Sequence, residues 1–481
     1  MKSFLIIILC TVCSVSYSQD RKAPFSKSLQ VLLDSKAGLR SNSISDIVIH
    51  KGIIYLGTGK GLSVSSDGGS SWATYDQESG IGKGGVSAFA VNDTVIWVAT
   101  AFDSLTSDAG SLETGGGLAF SKDGGRSWTH FDQPGDTPVQ NITFDIALHT
   151  DGSVWITSFG GGTQRTLDNG ISWEVVPPDT FFFDPLGRLN HRAFSTISTG
   201  DALWVGTAGG INKSLDNGRT WTNFNHQNQA LPVSGNFVVA IASQIVDGHE
   251  YIWAATREAQ EADEVRGVSV SEDGGLTWRT TLHGAFAHNF AFDGDIVFVL
   301  TDLGVYKSLD FGITWAKYAD IYDEAKDIRY LSTDFFAGAV EDDHTLWIGG
   351  PDGLASTEDD GMHWNIFRGT RKPGQDGEPE VFAYPSPFSP FRHNKIGKGD
   401  GHIRIQYNIE KPSNVTIRIY DFAMELVQEV SSRKARIQSG SFFELWDGRN
   451  SRGDIVANGV YFFSVELSDD GIFWGKFIVM D

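Results

Sequence analysis

The sequence predicts an all-β protein: a seven-bladed β-propeller of four-stranded antiparallel blades, followed by an Ig-like β-sandwich. Three observations carry that expectation. The frame Ser/Thr-x-Asp-x-Gly-x-Ser/Thr-Trp occurs seven times between residues 65 and 364, once with His in place of the second hydroxyl residue. A short apolar run precedes each copy, and the two recur together at roughly 50-residue spacing, the mark of a repeat architecture. With Gly 55 and Trp 14 against Met 4 in 481 residues, the composition suits a turn-rich β chain, and no stretch after residue 18 keeps a helical period.

The chain opens MKSFLIIILCTVCSVSYSQD. One lysine, an apolar run from Phe4 to about Val15, and Ser16 and Ser18 before Gln19 read as a secretory signal over 1–18. The run is too short for a comfortable membrane span, so none is expected in the mature chain. Lipoprotein processing is disfavoured, because neither Cys10 nor Cys13 follows the small residue it needs. Cleavage removes both cysteines, leaving no disulfide, thiolate metal site or cysteine nucleophile. No metal and no cofactor is expected, and about 460 residues remain to build a core. Losing Lys2 takes the formal charge from −22 to −23. Such a chain repels nucleic acid and anionic membranes, which excludes both as expected partners.

After a lead-in over 19–40, the propeller is expected over 41–367. Its apolar runs, among them IIYLGT (53–58), VIWVAT (95–100), ALWVGT (202–207) and TLWIGG (345–350), are short, β-branched and aromatic, and bounded by turns, so they read as buried strands. One strand precedes each run, another links it to the frame, and the residues from the Trp onward supply a fourth. Four such strands repeated seven times make a propeller.

The frame pairs Asp67 with Trp72, Asp123 with Trp128, Asp168 with Trp173 and Asp216 with Trp221. It recurs as Asp273 with Trp278, Asp310 with Trp315 and Asp359 with Trp364, where His363 replaces the hydroxyl residue. Its expected place is the turn between third and fourth strands. There glycine takes positive φ, aspartate accepts backbone N–H groups and tryptophan anchors the blade seam. A calcium-loop reading fails for want of alternating carboxylates. The frame is read as scaffold.

Strand parity then locates the variable loops. In an up-and-down meander the first and third turns share one face, so the connections after the second and fourth strands share the other. Insertions at 101–116 and 257–266 follow second strands. Those at 175–192, 223–236 and 318–329 follow fourth strands. All five are expected opposite the frames, where a rigid scaffold displays binding loops. The most suggestive is FFFDPLGRLNHR (181–192), in which Phe181, Phe182, Arg188, His191 and Arg192, together with Arg257, form a candidate ligand ledge. Along the channel one aligned position reads Asp46, Ala88, Asp145, Ser195, Ala240, Asn289 and Ala337. Asp46 and Asp145 are the weak catalytic candidates. The acidic run Glu258, Glu261, Asp263 and Glu264 reads as a solvated loop, with calcium a minor alternative.

A Gly/Pro/charge linker over 368–380 ends the repeats. Residues 381–481 alternate as short strands, which suggests an Ig-like sandwich.

The seven frames resemble the sialidase-type Asp-box (BNR) repeat, and the resemblance covers 41–367. It implies the propeller fold but not an activity, because members of that family do unrelated things. A sialidase has six blades, and its first substrate-binding arginine lies in Arg-Ile-Pro; here Arg40 is followed by Ser41. Xyloglucan-degrading relatives use two opposed aspartates and usually a second propeller. YPSPFSP (384–390), VTIRIYD (415–421) and WDGRNSRGDIVANGVYFF (446–463) resemble the Ig-like module of flagellar hook-cap proteins and related C-terminal sorting domains of type IX secretion. That resemblance implies export, attachment or spacing, with the secretion machinery as partner, and makes Asp447 and Asn450 turn-formers. No zinc-protease, serine-hydrolase or nucleotide motif is present.

The resulting expectation is a secreted or surface-displayed, non-enzymatic monomer that binds a glycan or protein through the loop face. The alternatives are a polysaccharide-active glycoside hydrolase and a structural envelope component.

Overall fold

The computed structural model describes residues 25–28, 38–106, 110–135, 141–260, 262–326, 328–369, 373–374, 379–391, 401–468 and 470–480. The expected signal over 1–18 and most of the 19–40 lead-in lie outside them. Among the described residues no helix is long and apolar enough to cross a membrane.

Seven antiparallel sheets follow one another, each made of four consecutive strands. Their first strands are Ile44–His50, Gly85–Asn92, Thr143–Leu148, Ala193–Thr199, Phe237–Val246, Ala287–Asp293 and Ala337–Val340. Each of these contacts the first strands of both neighbouring sheets, so the seven ring a central axis. Blade 2 gains a fifth strand, Phe25–Ser28, on its outer strand Ser127–Phe131. Blades 1 and 7 are each built from contiguous strands. Their seam is closed by packing: Ile44, Ile47 and Trp72 meet Trp347 and Leu354 in one apolar cluster.

The repeated frames share one geometry. In SLDNGRTW, Ser214 Oγ donates to Asp216 Oδ1 at 2.9 Å and accepts Gly218 N–H at 2.8 Å. Asp216 then accepts Thr220 N–H at 2.8 Å and its hydroxyl at 2.7 Å. The Thr220 hydroxyl and N–H hold this carboxyl down at about 2. Gly218 has φ 78°, and an added Cβ would stand 2.5 Å from the Trp155 ring. Serine, threonine and glycine are thus each required by a contact.

Every frame tryptophan lies at the seam with the preceding blade. Trp128 is 2% exposed and edge-on to Tyr75 of blade 1. Trp173 and Trp221 meet Trp97 and Trp155 edge-to-face at 6.1 and 6.2 Å.

The insertion over 101–116 is largely a hairpin extension of blade 2, whose middle strands run Val95–Thr106 and Gly110–Ser121. The insertion over 318–329 carries a small hairpin, Tyr322–Asp323 with Ile328–Arg329. There the buried Asp323 accepts Ile366 N–H at 2.9 Å, fixing the insertion to the outer strand of blade 7.

The C-terminal unit has a three-stranded sheet (Val381–Tyr384, Ile403–Ile409, Gly440–Trp446) and a four-stranded sheet (Leu426–Arg436, Ser413–Tyr420, Gly459–Leu467, Gly471–Val479). Ile405, Tyr407, Ile417, Phe463 and Phe477 from both sheets form one core. Asp447 accepts Arg449 N–H and Asn450 accepts Asp454 N–H within the intervening turns.

A buried ion cluster joins this unit to blade 7. Asp352, 3% exposed in the turn between the second and third strands of that blade, accepts Leu331 N–H and Arg368 Nη2, both at 2.6 Å. Arg404 of the sandwich, 2% exposed, pairs with the other carboxylate oxygen. Arg368, at the start of the expected linker, is therefore anchored in the protein and has its guanidinium over Phe443.

Candidate functional site

The inner strands of the propeller are not regular. In blades 1 to 6 the pairing of first and second strands slips by one residue near its start, a β-bulge. A bulge re-aims the extra side chain out of the ladder. The extra residues are Ser45, Ser87, Phe144, Phe194, Val239 and His288. In blade 7 Phe336 takes the equivalent place, its N–H reaching Gly349 O at 2.9 Å. All seven line a cavity of about 610 Å³ on the propeller axis. Serines occupy blades 1 and 2, while aromatic rings dominate the opposite arc.

That arc continues through neighbouring side chains. Phe194 lies 5.6 Å from Phe144 and 4.5 Å from Phe237. The Arg257 guanidinium stands 4.1 Å over Phe286, which is edge-on to His288, and His288 is perpendicular to Phe336. His288 Nε2 pairs with Asp334 at 3.0 Å. These rings sit at the beginnings of first strands and Arg257 at the end of a second strand, hence on the face opposite the repeated frames. They form a half-funnel of apolar faces around the channel mouth.

Asp46 and Asp145 also line the cavity. Asp46 Oδ1 accepts Ile47 N–H at 2.8 Å, with Asn289 Nδ2 at 3.5 Å. Burial deep in the propeller pushes its carboxyl up to about 6, against the pull of that N–H. Asp145 accepts Ile146 N–H and, across the blade seam, Thr196 N–H, both at 2.8 Å. Burial raises it to about 7; the Thr196 N–H opposes the rise and the Asp46 charge adds to it. Both side chains keep partial contact with channel solvent. The two acids therefore change charge near neutrality, but both oxygens of Asp145 are already engaged by backbone.

The ledge residues divide. Phe182 is 97% exposed, and Arg188 covers Phe181 at 3.6 Å, so these three stand at the surface. His191 is 1% exposed: Nε2 bonds Asp179 at 3.0 Å and Nδ1 accepts Asp184 N–H at 2.8 Å. Arg192 donates to the carbonyls of Pro185 and Leu186. His191 and Arg192 hold the loop together rather than face a ligand.

The neighbouring insertions are likewise tied down. Glu264, 4% exposed, accepts Asn236 N–H at 3.0 Å and Ala259 N–H at 2.7 Å, clamping 257–266 to 223–236. It is no part of a solvated acidic run, and Glu261 lies outside the described residues. Arg40 pairs with Asp76 at 3.3 Å, away from the cavity. No group of three or more metal-ligating acids, histidines or cysteines occurs among the described residues.

The aromatic arc was missed in the sequence by one position. Asp46, Asp145, Ser195, Ala240 and Asn289 of the aligned column line the cavity, Ala88 and Ala337 do not, and in blades 1 to 6 the residue before each member is the one a bulge ejects. Phe144, Phe194, His288 and Phe336 were readable there only if the bulges had been foreseen.

Comparison with known proteins bears on the fold. The FlgD Ig-like domain family matches residues 393–471. A crystal structure of a GH74 enzyme from Niastella koreensis is similar at TM-score 0.54 and 12% identity, covering 92% of this chain and 66% of that one. PorZ of Porphyromonas gingivalis, described as an essential surface component of the type-IX secretion system, gives TM-score 0.40 and 16% identity, covering 90% and 64%. YCF48 from Cyanidioschyzon merolae gives 0.44 and 16%, covering 66% and 95%. The chain thus spans less than two thirds of the PorZ and GH74 chains. None of the curated proteins matches it. The chain is a β-propeller followed by a FlgD-type Ig-like domain.

Proposed function

We propose that this chain is a secreted or surface-displayed, non-enzymatic propeller that binds a glycan through the channel mouth opposite its Asp boxes. The observation that supports this most is the aromatic half-funnel of Phe144, Phe194, Phe237, Phe286 and Phe336 above a polar floor. Flat apolar faces beside a few oriented polar groups are what a sugar ring requires, and the cavity volume falls within the ~300–1,000 Å³ usual for such sites. A protein ligand would use the exposed rim of Phe181, Phe182 and Arg188. The C-terminal domain serves export, attachment or spacing, with the secretion machinery as its partner.

Hydrolysis is the second reading, favoured by two carboxyls raised toward neutrality in one cavity. Binding is preferred because Asp145 spends both oxygens on backbone N–H groups. A glycan array on the full chain, with reducing-end release assayed on the same polymers, separates the two. Release from any polymer overturns the binder. Protease added to intact cells tests display: a protected propeller places the protein inside the envelope.

A further inference from the structure

The cavity lining is electrostatically one-sided. It holds Asp46 and Asp145 and no lysine or arginine, and its single histidine, His288, already pairs with Asp334. Neither channel aspartate forms an ion pair with any described residue. Their backbone N–H bonds offset only part of the hydration lost on burial, so a positive charge arriving there is favoured.

Asp46 is the group with capacity to spare. Its Oδ1 is engaged by Ile47 N–H and its Oδ2 accepts no hydrogen bond from the described residues. A free carboxylate oxygen on a wall that Asp145 also makes negative suits a group with several N–H donors. The aromatic arc above it adds ring faces that attract cations and stack on sugar rings.

From this geometry we propose that the ligand is an amino sugar with an unacetylated nitrogen, whose ammonium group rests on Asp46 while its ring packs against the Phe144–Phe194 arc. This rests on the glycan reading above and narrows it. A divalent metal fits the lining less well. Calcium takes six to eight oxygens, whereas Asp145 has none free. An acidic sugar seated in the cavity meets two carboxylates and no basic lining residue, Arg257 standing outside the lining over Phe286.

The test is calorimetric titration of the full chain at pH 7 with three tetrasaccharides: fully de-N-acetylated glucosamine, N-acetylglucosamine, and neutral glucose. The glucosamine oligomer is expected to bind at least ~10-fold more tightly than either of the others, a difference of about 1.4 kcal/mol. Asp46→Asn, which keeps an acceptor for Ile47 N–H, is expected to abolish that preference. Equal or tighter binding of an N-acetylated or neutral oligomer overturns the ammonium selection and leaves glycan binding standing. Absence of binding by all three overturns both. The wild-type comparison needs no variant, so a folding defect in Asp46→Asn does not protect the proposal.

Discussion

Asp145 of blade 3 accepts the backbone N–H of Thr196 in blade 4 at 2.8 Å. The inner edge of a propeller blade has no further strand to pair with, and the bulge at Phe194 breaks what ladder there is. Asp145 supplies the missing acceptor, so one side chain links two blades at the channel wall.

A replacement that keeps an acceptor is therefore expected to behave differently from one that does not. Asp145→Asn keeps one acceptor oxygen, enough for Thr196 N–H, while Asp145→Ala leaves both Thr196 N–H and Ile146 N–H without a partner. The alanine variant is expected to be roughly 1–3 kcal/mol less stable than the asparagine variant. Urea unfolding of both at one pH measures the difference. Equal stabilities would show that channel water satisfies the N–H.

The same burial makes stability depend on pH in an unusual direction. Burial raises Asp46 to about 6 and Asp145 to about 7 in the folded chain, from the ordinary aspartate value of 3.8 that the unfolded chain keeps. Raised carboxyls bind more protons folded than unfolded, so their contribution to stability falls as pH rises from about 4 through 7. The groups facing them are each other, Asn289 and His288, the last paired with Asp334. Asp46→Asn is expected to gain on wild type as pH rises through this window, by on the order of 1–2 kcal/mol with channel water moderating the effect. Thermal melts of both proteins at pH 5 and 8 measure it. A constant gap between the curves refutes the assignment.

His363 offers a second titration of opposite origin. It stands in the seventh copy of the repeated frame, where its N–H reaches Asp359 Oδ1 at 2.8 Å and its Nδ1 reaches Oδ2 at 2.5 Å, the place a hydroxyl takes in the other six. The hydrogen bond and charge of Asp359 raise the imidazole above its ordinary value. A raised histidine stabilises fully below its unfolded pKa, and that help is lost as pH rises through the folded value. His363→Ser restores the common hydroxyl contact, which does not titrate. The serine variant is expected to match wild type at pH 5 and exceed it at pH 9, with His363→Ala below serine at both. Melting temperatures in that order support the substitution; a serine variant that tracks alanine rules it out.

What the sequence made legible follows the repeats. Seven copies of one turn identify the blades, because Asp216 and Gly218 are fixed by their contacts and the Thr220 position needs a side chain that can hydrogen-bond the aspartate. The site is a different matter. It arises where repeats depart from one another, at bulge residues whose identity ranges from Ser45 to His288 and at Phe336 in the equivalent place, and no local pattern marks a bulge. The ledge at 181–192 shows the complementary difficulty. Its composition pointed to a ligand, but whether His191 faces out or in depends on Asp179 and Asp184, and only the folded loop decides that.

The same limit applies to Asp352, an aspartate in an ordinary Asp-Gly turn that proves to lie between Arg368 and Arg404. Three charges are buried there, each 2–4% exposed at the side chain. Removing one partner of a buried ion pair leaves the other uncompensated and typically costs about 3–5 kcal/mol. Asp352→Asn strands two guanidiniums, so it is expected to destabilise the chain by at least that range. It should also separate the unfolding of the sandwich from that of blade 7. Scanning calorimetry of the wild type should give one dominant transition, and of Asp352→Asn two. The triple replacement Asp352→Leu, Arg368→Met and Arg404→Met removes all three charges and should recover much of the loss. If the single variant melts as wild type does, the cluster is not what holds the Ig-like unit to the propeller.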